Sequence, residues 1–344
     1  MFITYFHWAK NSPPSIGRSF KPLINKISQT EEVKEFWVPY NGANPYNLIK
    51  NIWFVYKHRN NKGINHITGD IHYCILGLIG CKSVLTIHDD YAMVKANRGW
   101  LGKLYKYIFW IFLPVKLASK TVFISEATKK KIERLVSSRR TVVISNHSVD
   151  SEFTYKEKTF NVKNPLILQI GASPQKNLET TIKVVAKLKN SGFNCHLRVI
   201  KRMSEEQHTL AKRLGIDYSN VYDLSDKEIV EEYLKADIIA FPSLYEGFGM
   251  PIIEGQATGR IVITSNFEPM NWVAGNNGAI LLDNPLDKKE YTRKLTEIIL
   301  NEKLRNQTIK MGFENSKRFT VEKAVKTYHK LYANLLNEKN EKIN

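Results

Sequence analysis

Short β-rich runs recur along this chain, and between them lie segments whose apolar residues repeat at helical spacing. Strands are predicted at Phe2–His7, Phe36–Pro39, Ile64–Thr68, Val84–His88, Thr121–Ile124 and Thr141–Ile144, then at Leu166–Ile170, His196–Ile200, Val221–Asp223, Asp237–Phe241, Ile261–Thr264 and Ala279–Leu282. Helical patterns fall between them, among them Asn177–Lys189, Ser204–Leu214 and Asp226–Lys235. Two open on a capping box, Ser204 with Gln207 and Ser225 with Glu228. Strand and helix in alternation predict an α/β chain of doubly wound, parallel sheets covered on both faces. The pattern lapses over Asp150–Asn164, which is polar and without period, so a linker is expected at 151–164. It would join a domain at 1–150 to another at 165–318, and 344 residues suffice for two cores. The tail, 319–344, places Val325, Tyr328, Tyr332 and Leu335 at helical spacing. It is expected to pack back on the first domain and to fray over its last, charged residues.

Ligands of doubly wound sheets sit beyond the carboxyl ends of the strands. One polar cluster expected there is "SLYEGFGMPIIEG", Ser243–Gly255, with seven residues between Glu246 and Glu254. Gly247 and Gly249 can take positive φ, and Pro251 suits the first turn of a helix. A glycine turn feeding a helix N-terminus offers unpaired N–H groups to a phosphate. Glu254, expected in that first turn, would repel a phosphate and suits a neutral diol. Glu246, on the loop, would face the other end of the same ligand. In the first half, Asp70 and His72 in "TGDIHY" and His88 and Asp89 in "HDDY" also follow strands, and Gly17 follows the first one. His66 and His147 read as structural.

Charge is the other signal, formally +18 and uneven. Lys95–Arg140 holds twelve Lys or Arg against Glu126 and Glu133, interleaved with Trp100, Tyr105, Tyr107, Phe109, Trp110 and Phe112. Such a mixture suits a helix on an anionic membrane surface, or a helix on a sheet with a solvated basic face. The run "YIFWIFLPV" is about half of the ~20 residues of a membrane span. No recognised nucleic-acid motif accompanies the charge. Three scattered cysteines, Cys74, Cys81 and Cys195, argue against a disulfide framework and for a reducing cytoplasm. The first residues read as a strand and not a signal peptide.

The stretch "DIIAFPSLYEGFGMPIIEGQATG" resembles the E-x7-E signature of family 4 retaining glycosyltransferases, the "glycosyl transferases group 1" type, which have the GT-B fold of two Rossmann-like domains across a cleft. "LILQIGASPQKNLETTIKVVAKLK" resembles the same family's phosphate-binding strand, loop and helix, with weaker likenesses at "SDKEIVEEYLKAD", "VLTIHD" and "VFISEATKKKI". The resemblance implies roles. Glu254 would bind the nucleotide ribose and Glu246 the donor sugar. The backbone from Gly247 through Phe248 and Gly249 to Met250, with Gly171, would cradle sugar and diphosphate. Lys176 would neutralise the diphosphate, and His88 would reach the donor from the first domain. Catalysis is thus expected from Glu246, Lys176 and His88, with Gly17, Asp70, His72 and Asp89 on the acceptor side.

The sequence departs from the family in places. Ala172 stands where an arginine is common, so Arg198, Lys201 or Arg202 are candidates to replace that cation. "EGQA" stands for the usual "EAMA", Ile261 for a proline, and Ser145-Asn146-His147 for "PNG". There is no Asp-x-Asp, so no cofactor or metal is expected. The implied enzyme moves a sugar from a UDP- or GDP-linked donor to a lipid-linked or surface-polysaccharide acceptor. It would work in the cytoplasm, peripheral to the inner membrane face through Lys95–Arg140, and without nucleic acid. Alternatives are a sugar-nucleotide epimerase or phosphorylase of the same fold, or a non-catalytic basic adaptor.

Overall fold

The apolar runs become strands because each is covered on both faces, as parallel strands are. Ile64–Ile67, Ser83–Ile87, Ile238–Phe241 and Ile261–Ser265 are buried at every position. The computed structural model describes residues 1–10, 15–89, 99–145 and 152–338. Asp90, Lys95, Arg98, Asn146, His147 and the expected frayed end from residue 339 lie outside the described residues.

The chain divides into two compact units, Met1–Ser148 with Thr320–Asn344, and Val149–Phe319. The first runs β1 (Phe2–His7), α1 (Ser15–Ile27), β2 (Glu32–Trp37), α2 (Pro45–His58), β3 (Ile64–Ile67) and a 3-10 turn (His72–Leu78). It continues with β4 (Ser83–Ile87), α3 (Trp100–Lys106), a π-helical stretch (Tyr107–Phe112), α4 (Leu113–Leu117), β5 (Lys120–Phe123), α5 (Glu126–Glu133) and β6 (Thr141–Val143). The second runs β7 (Leu166–Ile170), a 3-10 turn (Pro174–Lys176), α6 (Leu178–Asn190), β8 (His196–Ile200), α7 (Glu205–Arg213), β9 (Asp217–Val221) and α8 (Asp226–Lys235). Then come β10 (Ile238–Phe241), α9 (Met250–Ala257), β11 (Ile261–Ser265), α10 (Met270–Ala274), β12 (Ile280–Leu282), α11 (Lys288–Leu300) and α12 (Glu302–Ser316). The closing helix, α13 (Val321–Asn337), belongs to the first unit.

Each unit has one six-stranded parallel sheet, in the order β2-β1-β3-β4-β5-β6 and β12-β11-β10-β7-β8-β9. Each is the expected doubly wound, parallel α/β arrangement. Both capping boxes form as predicted. Two strands lie earlier than predicted, β2 at Glu32–Trp37 and β9 at Asp217–Val221. Both are edge strands, and charged or polar residues on an edge hide the apolar run that marks a buried strand.

The aromatics of Lys95–Arg140 are less free than their sequence suggests. Trp110 and Ile111 are buried in the core, and Tyr105, Tyr107 and Phe109 pack against it. The expected linker is likewise no free tether from residue 152 onward. Phe153 is buried edge-on to Tyr233, at 5.3 Å between ring centroids. Arg260 donates to the carbonyls of Lys156 and Leu234, both at 2.8 Å, and Lys158 pairs with Asp237. A polar composition reads as a linker, but here its polar groups bind the second unit.

A polar network inside the first core fastens α13. The Tyr332 hydroxyl lies 3.2 Å from that of Tyr5 and 2.7 Å from Nδ1 of His66, whose Nε2 is 2.8 Å from Thr86 Oγ1. All four side chains are buried. Tyr332→Phe leaves the Tyr5 hydroxyl and His66 Nδ1 without this partner, so it should cost about 1–3 kcal/mol. A lower urea midpoint is the expected reading, and an unchanged midpoint would show that the network adds no net stability.

Candidate functional site

The strand order of the second sheet reverses between β7 and β10, which pair directly. Chains leaving two such neighbours diverge, and the gap beyond their carboxyl ends is where this fold takes ligands. Gly171 follows β7 with φ +94°, and a Cβ there would come within 2.7 Å of Lys176 Cγ. The lysine stem therefore lies across the glycine, a crossing that a side chain at 171 would obstruct. Lys176 Nζ ends 2.5 Å from Glu246 Oε1, on the loop after β10, and 4.7 Å from the Phe241 ring centroid.

One backbone bond and two side-chain amides fasten these loops. Leu244 N–H donates to the Gln175 carbonyl at 2.8 Å, and Gln169 Nε2 donates to the Lys176 carbonyl at 2.9 Å. Asn177, left-handed at φ 59°, donates from Nδ2 to the carbonyls of Pro242 and Pro285 at 3.2 and 2.9 Å. Helices α6 and α9 both begin here, and their first N–H groups add positive potential. Sequence reasoning missed Gln169 and Asn177. A buried Gln inside an apolar strand was the available signal for the first.

Gly249 enters α9 at φ +111°, and Met250 and Pro251 are its first residues. Glu254 is therefore the fifth residue, just past the first turn where it is expected, because the helix starts after Gly249. It is buried, and its Oε2 accepts from the Tyr233 hydroxyl of α8 at 2.5 Å. Phe248 is also buried, edge-on to Phe319, so its ring serves the core and only its backbone can join the loop in binding. The "EGQA" departure has a packing use. A Cβ on Gly255 would come within 2.9 Å of Ile239 and Val262, and Gln256 Nε2 donates to the Ala274 and Gly278 carbonyls.

The expected replacement cations differ. Arg198 is held within β8 by Glu232, at 2.7 and 3.1 Å, and by Ser219 at 3.1 Å, which commits it to structure. Lys201 follows β8 with φ +97° and is exposed; Arg202 is exposed too, 3.9 Å from Asp223.

In the first unit the order reverses between β1 and β3. His88 Nε2 donates to the Thr68 carbonyl at 2.8 Å, which leaves Nδ1 as the acceptor of the neutral ring. Thr68 Oγ1 is 2.8 Å from His7 Nδ1. Burial pushes His88 down to about 4. Asp70 Oδ1 accepts from Trp110 Nε1 at 2.6 Å, and burial raises its carboxyl to about 6. His72, expected beside it on the acceptor side, is buried, donates from Nδ1 to the Trp110 carbonyl at 2.8 Å, and is pushed by burial to about 4. His66 is structural, as read. Asp89 is half-buried. Gly17 lies inside α1, where a Cβ would meet nothing within 4 Å, so no close approach demands glycine there. Among the described residues, no group of three or more His, Cys, Asp or Glu is arranged to hold a metal ion.

Residues 150–315 match the sequence profile of the family described as Glycosyl transferases group 1. An O-antigen chain mannosyltransferase of Salmonella typhimurium is 28% identical over 223 residues, 63% of this chain and 61% of that one. An N,N'-diacetylbacillosaminyl-diphospho-undecaprenol alpha-1,3-N-acetylgalactosaminyltransferase of Campylobacter jejuni is 22% identical over 85% of this chain and 82% of its own. Among solved structures, an Anabaena protein in complex with UDP and glucose superposes with a TM-score of 0.75 at 14% identity, over 97% of this chain and all of that one.

The buried histidines fix a pH dependence. His72 and His88 protonate near 6.5 when unfolded but near 4 when folded, and His66 is also held well below 6.5. Between those values the unfolded chain binds more protons, so stability rises with pH. Asp70, raised from 3.8 to about 6, opposes this over its own window, one group against three. The melting temperature should therefore climb from pH 4 to 6.5, and the rise should be shallower in His72→Gln. A slope of the opposite sign would contradict these burial effects.

Proposed function

Residues 150–315 are a group 1 glycosyltransferase domain and the chain is a glycosyltransferase, and from that premise we propose a retaining, metal-independent transfer from a UDP- or GDP-linked sugar. The observation that carries it is the Lys176–Glu246 contact at the β7/β10 reversal, beside the N-termini of α6 and α9. Cleavage of a nucleotide sugar builds negative charge on the leaving diphosphate while the sugar becomes oxocarbenium-like. Groups aimed at the leaving oxygens stabilise that state most. Lys176 and the two helix starts supply this potential without a metal. Glu246 lies within reach of the sugar hydroxyls, and Glu254 accepts from the ribose. Within the first unit, His88 keeps Nδ1 as an acceptor.

For retention, the anomeric carbon–phosphate oxygen bond breaks as the acceptor oxygen bonds the same face. The acceptor proton passes to the leaving phosphate oxygen, so no protein nucleophile is used. We take the acceptor to be a lipid-linked or surface-polysaccharide saccharide at the cytoplasmic membrane face. The relatives named for O-antigen and diphospho-undecaprenol substrates support that reading.

Calorimetry and turnover with a panel of UDP- and GDP-sugars test the assignments. Lys176→Ala should lower kcat by about 10²–10³ with KM little changed. Glu254→Ala should weaken nucleotide binding by about tenfold or more, since a charged acceptor is lost from the ligand's hydroxyls. Near-normal constants in both variants would overturn the site.

A further inference from the structure

The sequence places the membrane signal in Lys95–Arg140, yet most of its aromatic rings face the core. A longer run of exposed rings lies outside it. On α2, Tyr46 (60% exposed), Ile49 (66%), Trp53 (53%) and Tyr56 (51%) recur at three- and four-residue spacing, on the side opposite the buried Leu48, Asn51 and Val55. They form one continuous stripe. Three carry a cation over the ring: Lys50 Nζ is 5.4 Å from the Tyr46 centroid, Lys57 Nζ 3.6 Å from Trp53, and the Arg59 guanidinium 4.0 Å from Tyr56. From Phe36 to Gly69 the chain has four Lys or Arg and no acid.

A second exposed patch adjoins it. Trp100 (73%), Leu101 and Leu104 project from α3, and the Tyr105 hydroxyl of α3 donates to the carbonyl of Ala43, just ahead of α2, at 2.9 Å. In chain order α2 is the next helix after β2 and α3 begins at Trp100, beyond β4, while Asp70 and His88 follow the carboxyl ends of β3 and β4.

We infer that the outer faces of α2 and α3 form an interfacial surface that dips its aromatic rings into an anionic lipid bilayer. Apolar stripes of this size are uncommon on a freely soluble face. Protein interfaces are depleted in lysine, whereas at a bilayer lysine and arginine stems lie along the apolar surface and their heads reach the lipid phosphates. The absence of acid across 36–69 fits a negatively charged partner. The surface rests on exposure and charge and is independent of the donor site. If the acceptor is lipid-linked, it brings the lipid to the unit that holds Asp70 and His88.

Sedimentation of the full chain with phosphatidylcholine vesicles, with and without phosphatidylglycerol, tests this surface. The native chain should bind the anionic vesicles, less so as salt rises, with tryptophan emission shifted to the blue. The double variant Trp53→Ser with Trp100→Ser should partition at least about tenfold less while keeping its melting temperature. Lys50→Glu with Lys57→Glu should abolish the preference for anionic vesicles. Undiminished binding by the tryptophan variant, or no binding by the native chain at low salt, would overturn the proposal. So would a native dimer that Trp53→Ser dissolves, because a second copy would then cover the stripe. Neither result touches nucleotide-sugar binding, so the transfer reading stands or falls separately.

Discussion

The second unit is organised around one topological fact, the reversal of strand order between β7 and β10. Neighbouring strands whose following chains part in opposite directions leave a gap that backbone alone cannot close. Here the Lys176–Glu246 ion pair, the Leu244–Gln175 bond and the Asn177 amide close it. The side chains of the pair are 20% and 14% exposed, so neither charge is fully hydrated. Removing one leaves the other desolvated and unmatched, which costs more than the intact pair contributes. The pair therefore keeps an ammonium group beside two helix N-termini until a stronger anion competes for it.

Gly171 and Gly249 follow from the same constraint. Each holds a positive φ, and at each a Cβ would crowd a neighbour, the Lys176 stem in one case and the buried Ile252 side chain in the other. The first unit solves a different problem. Its core admits a chain of polar side chains, Tyr5, Tyr332, His66 and Thr86, that only a fully paired arrangement makes tolerable. That requirement fixes the last helix, α13, to the unit that begins the chain, which the sequence leaves near 148 and rejoins near 319.

Much of this was legible beforehand. Central strands buried on both faces announce themselves as apolar runs, and the capping boxes at Ser204 and Ser225 fix two helix starts to the residue. The glycine turn and the acid pair mark the loop after β10, which lies at the β7/β10 reversal. The edge strands β2 and β9 were misplaced because solvent allows them polar residues. Glu254 falls just past the first turn because the helix already begins at Met250, one residue before the proline. Arg198 looked available because a sequence does not show that Glu232, 34 residues away, returns to meet it. The stripe on α2 escaped for a related reason: periodicity finds an apolar face but not whether anything covers it. There, Leu48 and Val55 are buried while Ile49 and Trp53 on the other side are open.

The two acids of Ser243–Gly255 differ in what they can accept. Glu246 already faces a cation, so a ligand approaching it must either share Lys176 or displace it. Glu254 is met by a neutral donor, the Tyr233 hydroxyl, inside a wall that includes the buried Phe153 and Tyr233 rings. A phosphate brought to Glu254 would meet an acid across a short, poorly screened distance and be repelled, whereas a hydroxyl adds a second donor of the kind already bound there. On the proposed reading both acids would meet neutral hydroxyls, Glu246 those of the sugar and Glu254 those of the ribose, and Lys176 with the helix starts would meet the phosphates.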